Sequence, residues 1–577
     1  MDERIGWRAW GEDALAEARR ADKPILLSIG AVWCHWCHVM DRTSYSDAAV
    51  AATIAERYVP IRVDTDERPD VNARYNMGGW PTTAILTPDG ELMTGATYVP
   101  PEQMRAMLAQ VADAYATRKS EILRSLEERF AQFGERPPPD GAALEPSIVA
   151  STRDAIEALY DDEFGGFGRE PKFPQTDVLE FLVLLDRRRR DARLDAMLSK
   201  TLLAMGRGGM YDHVEGGFFR YSTTRDWTVP HFEKMAEDHA GLIRAYARGW
   251  QLLGIPALRE TLVSALEYVR TVLRDPATGF FAGSQDADEA YYALELPQRR
   301  SRPAPYIDRT VYTNWNAGLA SAFAVAGAVL DDDALIAEGA ATLDSIEAEL
   351  RDERGLCFHF RRPGQAPQLP TLLLDQVACL RALLDLHEVS GEPRFLQRAI
   401  ALVPVVVETF GDEHGTFVDH ANEAPLGRLA VRSVPPAENA SFADTLLRLA
   451  VMTGSEAYAE RAERALRAFS LRYAALRSFA APYAAAVARS LWGGAGVTIV
   501  GTPRASAALR EAAFALPDPF AATATFAPGE ASLVERGFPG TAGPHAFPCR
   551  NRLCGPPVDD PANLSLAFDS LGEHAAG

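Results

Sequence analysis

The apolar, strand-length run Ile25-Leu26-Leu27-Ser28-Ile29 leads into Trp33-Cys34-His35-Trp36-Cys37-His38, and a helical segment follows. A continuous apolar strand reads as buried on both faces. The two cysteines therefore stand where a central strand gives way to a helix. A cysteine in the first turn of a helix lies near unpaired N–H groups and the positive end of the macrodipole, which favours its thiolate. Cys37, one turn further along the same face, is placed to resolve a mixed disulfide formed at Cys34, and a protonated His35 between them would lower the first thiol's pKa further. Val59 to Asp64 and Thr82 to Leu86 read as two more strands, the latter stopped by Thr87-Pro88-Asp89-Gly90. Gly79-Trp80-Pro81 precedes that strand, and a proline there suits a cis bond beside the dithiol. Helical patterns run from Gly11 to Asp22 and from Pro101 to about Arg118. Residues 1–118 are thus expected to form a small α/β domain.

Three other chemistries share the motif. Cys-x-x-Cys-His is the pattern for covalent haem attachment, which normally needs export, and no apolar segment follows the basic start that a secretory signal requires. Cys34, Cys37 and His38 are also possible zinc ligands with a fourth from elsewhere. The plain alternative is two packed thiols without turnover. The leading expectation is a redox-competent dithiol, with Cys34 and Cys37 reactive and Trp33, His35 and Pro81 around them. Of the remaining cysteines, Cys357 and Cys379 sit in apolar surroundings and read as core. Cys549 and Cys554 could close a tight disulfide, bind metal, exchange with the first pair or be inert. No cofactor and no resident metal is expected.

The 577 residues, 47% of them apolar and 24% charged, are ordinary globular material for several domains. A formal charge of −20 opposes nonspecific binding to nucleic acid or anionic membranes. The basic run Arg187 to Arg190 reads as a solvated helix face. No window approaches the roughly 20 unbroken apolar residues of a membrane span, and the cytoplasm is the expected compartment.

Residues 119–145 read as a polar helix and linker, broken at Pro137-Pro138-Pro139-Asp140-Gly141. From 146 to 490, Ala/Leu/Arg-rich helices alternate with loops rich in glycine, aromatics and acids, a rhythm that recurs about every 50–60 residues without exact sequence repetition. Stacked helical hairpins closed into a toroid would bury the apolar face each hairpin leaves exposed. Residues 491–577, with the strand-like Val497 to Gly501, read as an α/β appendage packed on the toroid. Loops of a toroid gather at one end, and there aromatic platforms with carboxylates and imidazoles suit a polar ring such as a sugar. Tyr211, Asp212, His213, Trp227, His231, Glu233, Asp286 and Asp288 are the substrate-binding candidates. Glycoside hydrolysis would use two carboxyls about 5–10 Å apart, with Glu233, Asp286 and Asp288 available. A sugar isomerase or epimerase would use His213, His231 or His239 as acid or base. The structural alternative has these groups capping helices and filling hairpin ends.

Cys34-His35-Trp36-Cys37-His38-Val39-Met40, Val63-Asp64 to Arg68-Pro69-Asp70, Gly79-Trp80-Pro81, Gly165-Gly166-Phe167-Gly168 with Pro171-Lys172-Phe173-Pro174, Tyr211-Asp212-His213, Pro230 to Met235, Gln285 to Asp288, Trp315-Asn316 and Cys549/Cys554 together resemble the spermatogenesis-associated protein 20-like (YyaL-type) family. The resemblance implies a multidomain α/β plus all-α chain: an N-terminal thioredoxin-like fold followed by an (α/α)6 toroid of the six-hairpin glycosidase type. The sequence departs from the family pattern after Met235, where Ala236-Glu237-Asp238-His239 stands, and after Asp288, where Glu289-Ala290-Tyr291-Tyr292 replaces a glycine-rich acidic stretch. Three functions follow as expectations. The first is a thiol–disulfide oxidoreductase acting on a protein disulfide or small thiol. The second is carbohydrate isomerisation or hydrolysis in the toroid, and the third is a noncatalytic interaction module.

Overall fold

The computed structural model describes residues 5–133, 141–538, 543–551 and 553–572. Pro137 to Asp140 of the expected linker lie outside them. The chain forms two compact units, one of Met1–Pro137 with His420–Ser433, the other of Pro138–Asp419 with Val434–Gly577.

The first unit is thioredoxin-like. Its elements are α1 (Glu12–Ala21), β1 (Ile25–Gly30), α2 (His35–Arg42), α3 (Ala48–Arg57), β2 (Val59–Asp64), α4 (Pro69–Tyr75), β3 (Thr82–Leu86), β4 (Leu92–Ala96) and α5 (Pro101–Phe133). The sheet order is β2-β1-β3-β4, with β1 parallel to β2 and antiparallel to β3. Because side chains alternate along a strand, Ile25, Leu27 and Ile29 pack with Ile61, Val71 and Tyr75 on one face. Leu26 packs with Met40, Ile54, Ile85 and Leu108 on the other. Arg118, at φ −129° and ψ 26°, interrupts α5 where the sequence placed the helix end, and helix resumes beyond it.

Residues 420–433 complete this unit although they lie between toroid helices in sequence. Leu429 joins the core of Ile25 and Tyr75. The Tyr75 hydroxyl accepts the Arg428 N–H at 2.8 Å and donates to Gly90 O at 2.7 Å. Gly90 and Gly427, both at positive φ, pass so closely that a Cβ on Gly90 would stand 2.6 Å from the Gly427 Cα.

In the second unit six helices form an inner ring: α7 (Thr176–Arg188), α9 (Ala236–Leu253), α13 (Thr313–Leu330), α15 (Leu373–Ser390), α17 (Pro436–Thr453) and α19 (Ala481–Trp492). Each packs on the next, and α19 packs back on α7. Outside them stand α6 (Pro146–Leu159), α8 (Ala192–Arg207), α10 (Pro256–Tyr268), α14 (Asp333–Glu349), α16 (Pro393–Phe410) and α18 (Glu456–Arg467), completing the (α/α)6 toroid. Two short helices, α11 (Glu289–Tyr292) and α12 (Leu296–Arg299), lie between α10 and α13. Position follows sequence. α13, apolar and small-residue-rich all round, is inner, whereas α18 carries Glu and Arg on a solvated face.

The loops entering the ring share a construction that the sequence does not advertise. In five of them an aspartate (Asp161, Asp212, Asp275, Asp352, Asp412) opens a turn whose glycine (Gly165, Gly216, Gly279, Gly355, Gly415) returns its N–H to that aspartate's carbonyl. All five glycines have positive φ, which a Cβ would disfavour. Four of the following inner helices place an acceptor at their fourth residue. His239, Asn316, Gln376 and Asn439 receive the backbone N–H of Phe218, Phe281, Cys357 and Phe417, at 2.7–2.9 Å. His239 Nδ1 lies 2.6 Å from Met235 O, so it donates there and Nε2 accepts. Burial pushes its pKa down to about 4, keeping it neutral. His239→Ala is expected to cost about 1–3 kcal/mol by leaving the Phe218 N–H unpaired. His239→Asn, copying Asn316, should recover much of that loss in chemical denaturation.

The strand Ala495–Val500 pairs in parallel with Ala522–Phe526 and antiparallel with His545–Arg550, forming the appendage. Pro230–His231 and Lys234–Met235 form two short strands, and α9 begins at Ala236. One expectation is corrected here. Arg187 does not join Arg188 to Arg190 on the solvated face; it turns into the toroid and donates to Leu516 O.

Candidate functional site

Cys34 is the N-cap of α2, with φ −79° and ψ 106°. Its Sγ accepts the Cys37 N–H at 3.2 Å, so a helix-terminal donor already points at the first sulfur. Cys34 and Cys37 are joined as a disulfide. Gly30, ending β1, lets that pair close against the strand, since a Cβ there would stand 3.3 Å from Cys37 Sγ. Trp33 is buried and donates Nε1–H to Asp66 Oδ2 at 2.6 Å while meeting Trp80 edge-on at 5.7 Å. The Trp80–Pro81 bond is cis, as the sequence led us to expect. His35 is exposed and stacks edge-on with Trp36, which leans on Tyr98. His38 Nε2 turns to Val32 O at 2.8 Å, away from a shared ligand set with the two sulfurs.

Cys34 itself is 5% exposed, but Trp36 beside it is 50% exposed and Val32 is also open. The approach to the sulfur thus runs over an apolar rim. The Asp64 carboxylate accepts the N–H groups of Val32, Asp66 and Glu67, which braces the loop before the cysteines.

In the toroid the eight candidates separate into distinct groups. Asp212 lies in a buried ion cluster, 2.8 Å from Lys234 Nζ and 2.7 Å from Arg299 Nη1. Burial pushes the Lys234 pKa down to about 8, and the Asp212 charge opposes that. The ammonium is enclosed by Tyr268, Phe219 and Tyr292 rings. Asp161 and Lys172 repeat this pair one loop earlier, at 2.9 Å, so the arrangement is a turn lock rather than a reaction centre. Tyr211 is buried edge-on against Phe218, and His213 is exposed with Nε2 at 3.0 Å from Gly208 O. Trp227 is fully buried, donating to Phe164 O and Gly165 O, and offers no platform to a ligand. Asp288 caps α11 through the Tyr291 N–H, and Asp286 accepts the Ala287 N–H.

His231 and Glu233 do come together, bonded through Nδ1 and Oε2. Phe173, Tyr221 and His231 stack in a column, with centroids 4.6 Å apart for the first pair and 5.0 Å for the second. Phe173 at the outer end is 43% exposed. The Glu233 carboxyl at the inner end is fully buried, and its Oε1 has no hydrogen-bond partner among the described residues.

Acids in the first turns of the inner helices were missed as site residues, because an acid at a helix start reads as dipole compensation. Asp177, Glu237, Asp238 and Glu438 occupy those turns, and desolvation by the crowded surroundings raises the pKa of each, although the Asp177 and Glu237 side chains remain exposed. Asp238 reaches about 7, with Glu237 and Glu233 adding to the burial effect and Arg220 opposing it. Further along the same helices a cavity of about 200 Å³ is lined by alternating charges. Glu180 pairs with Arg244 and Arg381, and Asp385 with Arg244 and Arg448.

Residues 1–133 match the family model Thioredox_DsbH, described as a protein of unknown function, DUF255. Human spermatogenesis-associated protein 20 is 29% identical to this chain over 81% of it and 76% of its own length. The chain is a homologue of spermatogenesis-associated protein 20. Thiol:disulfide interchange protein DsbD 1 of Pseudomonas aeruginosa is 39% identical over 82 residues, 14% of each chain. Among solved structures, cellobiose 2-epimerase of Bacillus thermoamylovorans is 12% identical and superposes with a TM-score of 0.46 over 56% of this chain and 86% of its own. In this homologue the two-unit architecture rests on its own helix packing and sheet order. Among the described residues no helix is long and apolar enough to cross a membrane.

Proposed function

We propose that the chain is a thiol–disulfide oxidoreductase working at Cys34 and Cys37, in the cytoplasm, with a protein disulfide or small thiol as partner. The observation that carries this reading is the Cys37 N–H directed at Cys34 Sγ from the first turn of α2. The same hydrogen bond that the sulfur accepts in the disulfide stabilises the thiolate once the bond is reduced. The Cys34 thiolate attacks one sulfur of a client disulfide, and the client's other sulfur leaves as a thiolate and is protonated. Cys37 then gives up its proton and attacks Cys34 Sγ, which releases the client dithiol and regenerates the Cys34–Cys37 disulfide. Similarity to a protein named for thiol:disulfide interchange supports the assignment. Catalysed reduction of a protein disulfide, with dithiothreitol as electron source, tests it. A rate no higher than dithiothreitol alone would count against it.

A second reading, for the toroid, rests on the Phe173–Tyr221–His231 column, whose histidine bonds Glu233, and on Asp238, which lies within reach of the Glu233 charge. We infer a sugar-ring site there, with the pKa of Asp238 held up to about 7, so that a share of the carboxyl is protonated at neutral pH and able to act as an acid. Aryl glycosides and reducing sugars are the test panel. Any turnover should fall as pH rises through about 7 and vanish in Asp238→Asn. Binding or conversion of nothing in the panel would remove this reading and leave the first intact.

A further inference from the structure

Cys549 and Cys554 are joined by a second disulfide. They face each other in antiparallel register between the strand His545–Arg550 and the two-residue edge strand Leu553–Cys554. Their surroundings do not suit a structural staple. The bond closes a loop with a sequence separation of only 5, and so short a loop removes little conformational freedom from the unfolded chain. The hairpin is also held without it. Gly555 donates its N–H to Pro548 O at 2.8 Å, Asn551 donates to Gly494 O at 2.9 Å, and His545–Arg550 pairs along its length with Ala495–Val500. When the bond opens, the two sulfurs therefore stay opposite each other.

Access follows the same pattern. Cys554 is exposed on the sheet edge and Cys549 is half-buried beneath it, whereas the thiols Cys357 and Cys379 are buried. Both members of the pair line a groove of about 820 Å³ together with Val451, Ser455, Arg536 and Phe538. The Arg536 guanidinium, on the wall of the same groove, donates to Met452 O and Thr498 Oγ1 and puts a fixed positive charge in it. Exposed disulfides are the reducible ones.

We propose that Cys549–Cys554 is a second thiol–disulfide exchange centre, opened by a dithiol protein whose thiolate attacks Cys554 Sγ. The S–S bond breaks, its electron pair leaves on Cys549 Sγ, and that sulfur takes a proton. A mixed disulfide then joins the partner to Cys554. The partner's second thiolate attacks its own bridging sulfur and releases Cys554, which is protonated in turn. The partner dithiol is oxidised by two electrons to a disulfide, and this pair is reduced to two thiols.

The full chain carrying both Cys34→Ser and Cys37→Ser isolates this centre, so its behaviour is read apart from the first dithiol. It is equilibrated with reduced thioredoxin or with glutathione buffers, then alkylated and read by peptide mass spectrometry. The bond should open and re-form reversibly with the circular dichroism of the native chain retained. Thioredoxin should act at least about tenfold faster than glutathione at equal thiol concentration. In single-thiol variants, Cys554 left by Cys549→Ser should take up oxidised glutathione at least about tenfold faster than Cys549 left by Cys554→Ser. A bond that opens only in denaturant would overturn the proposal. So would loss of the native spectrum on reduction, equal rates for thioredoxin and glutathione, or equal reactivity of the two cysteines.

Discussion

Cys34→Ser is expected to bring disulfide turnover down by on the order of a thousandfold or more, because a serine hydroxyl is not ionised near neutral pH and cannot form the mixed disulfide. The fold should be untouched, since serine at an N-cap still accepts the Cys37 N–H that sulfur accepts now. Cys37→Ser should behave differently. Attack by Cys34 proceeds but resolution does not, so a covalent adduct between Cys34 and the client should accumulate and be visible on a non-reducing gel. Equal, partial losses in both variants would mean that the two sulfurs do not have separate roles. Unchanged turnover in Cys34→Ser would mean that the chemistry lies elsewhere.

The second large effect concerns stability rather than turnover. Asp212 is the shared counterion of Lys234 and Arg299, and all three are at most 3% exposed. Asp212→Ala leaves two cations without this partner in a space walled by Tyr268, Phe219 and Tyr292. Removing one member of a buried ion cluster costs about 3–5 kcal/mol, a large share of the stability of an ordinary domain. Lys234 also gives up its bond to Asp212 while keeping that to Gly216 O, so the loop entering α9 should loosen first. Chemical denaturation followed by tryptophan fluorescence measures the loss. Asp288→Ala, which removes only an exposed helix cap, should cost no more than about 0.5–2 kcal/mol. Full stability in Asp212→Ala with lost sugar turnover would reverse the assignment and return Asp212 to the reacting groups.

The thioredoxin-like unit was largely legible because its central elements are locally consistent. An apolar strand, a helix-capping cysteine and a proline before β3 each state their place within a few residues. β4 was missed because Leu92–Ala96 is half-buried and carries Gly95 in its middle, so it shows no apolar run. The insertion of residues 420–433 was illegible for a different reason. Tyr75, Gly90 and Arg428 touch across more than three hundred residues, and a close glycine–glycine passage leaves no periodic trace. In the toroid, the Asp–Gly turns were hidden by irregular spacing along the chain and by intervals of differing length within the turn. Their recurrence changes the reading of Asp212 and His239, which have counterparts in other loops that hold the same backbone bonds. His231 and Glu233 have no such counterpart among those turns, and they are the two sequence candidates the fold brings into one bonded pair. Charged residues inside the ring, such as Arg187 and Glu180, were indistinguishable from a solvated face because helical spacing alone does not say which face meets a lumen.

The central claim is that α2 lowers the pKa of Cys34, and the rate of its alkylation against pH measures this directly. In the reduced chain carrying Cys37→Ser, iodoacetamide modification of Cys34, followed by peptide mass spectrometry, should titrate well below the ordinary thiol value of about 8.5. A midpoint at or above that value, with the fold intact, would contradict the account.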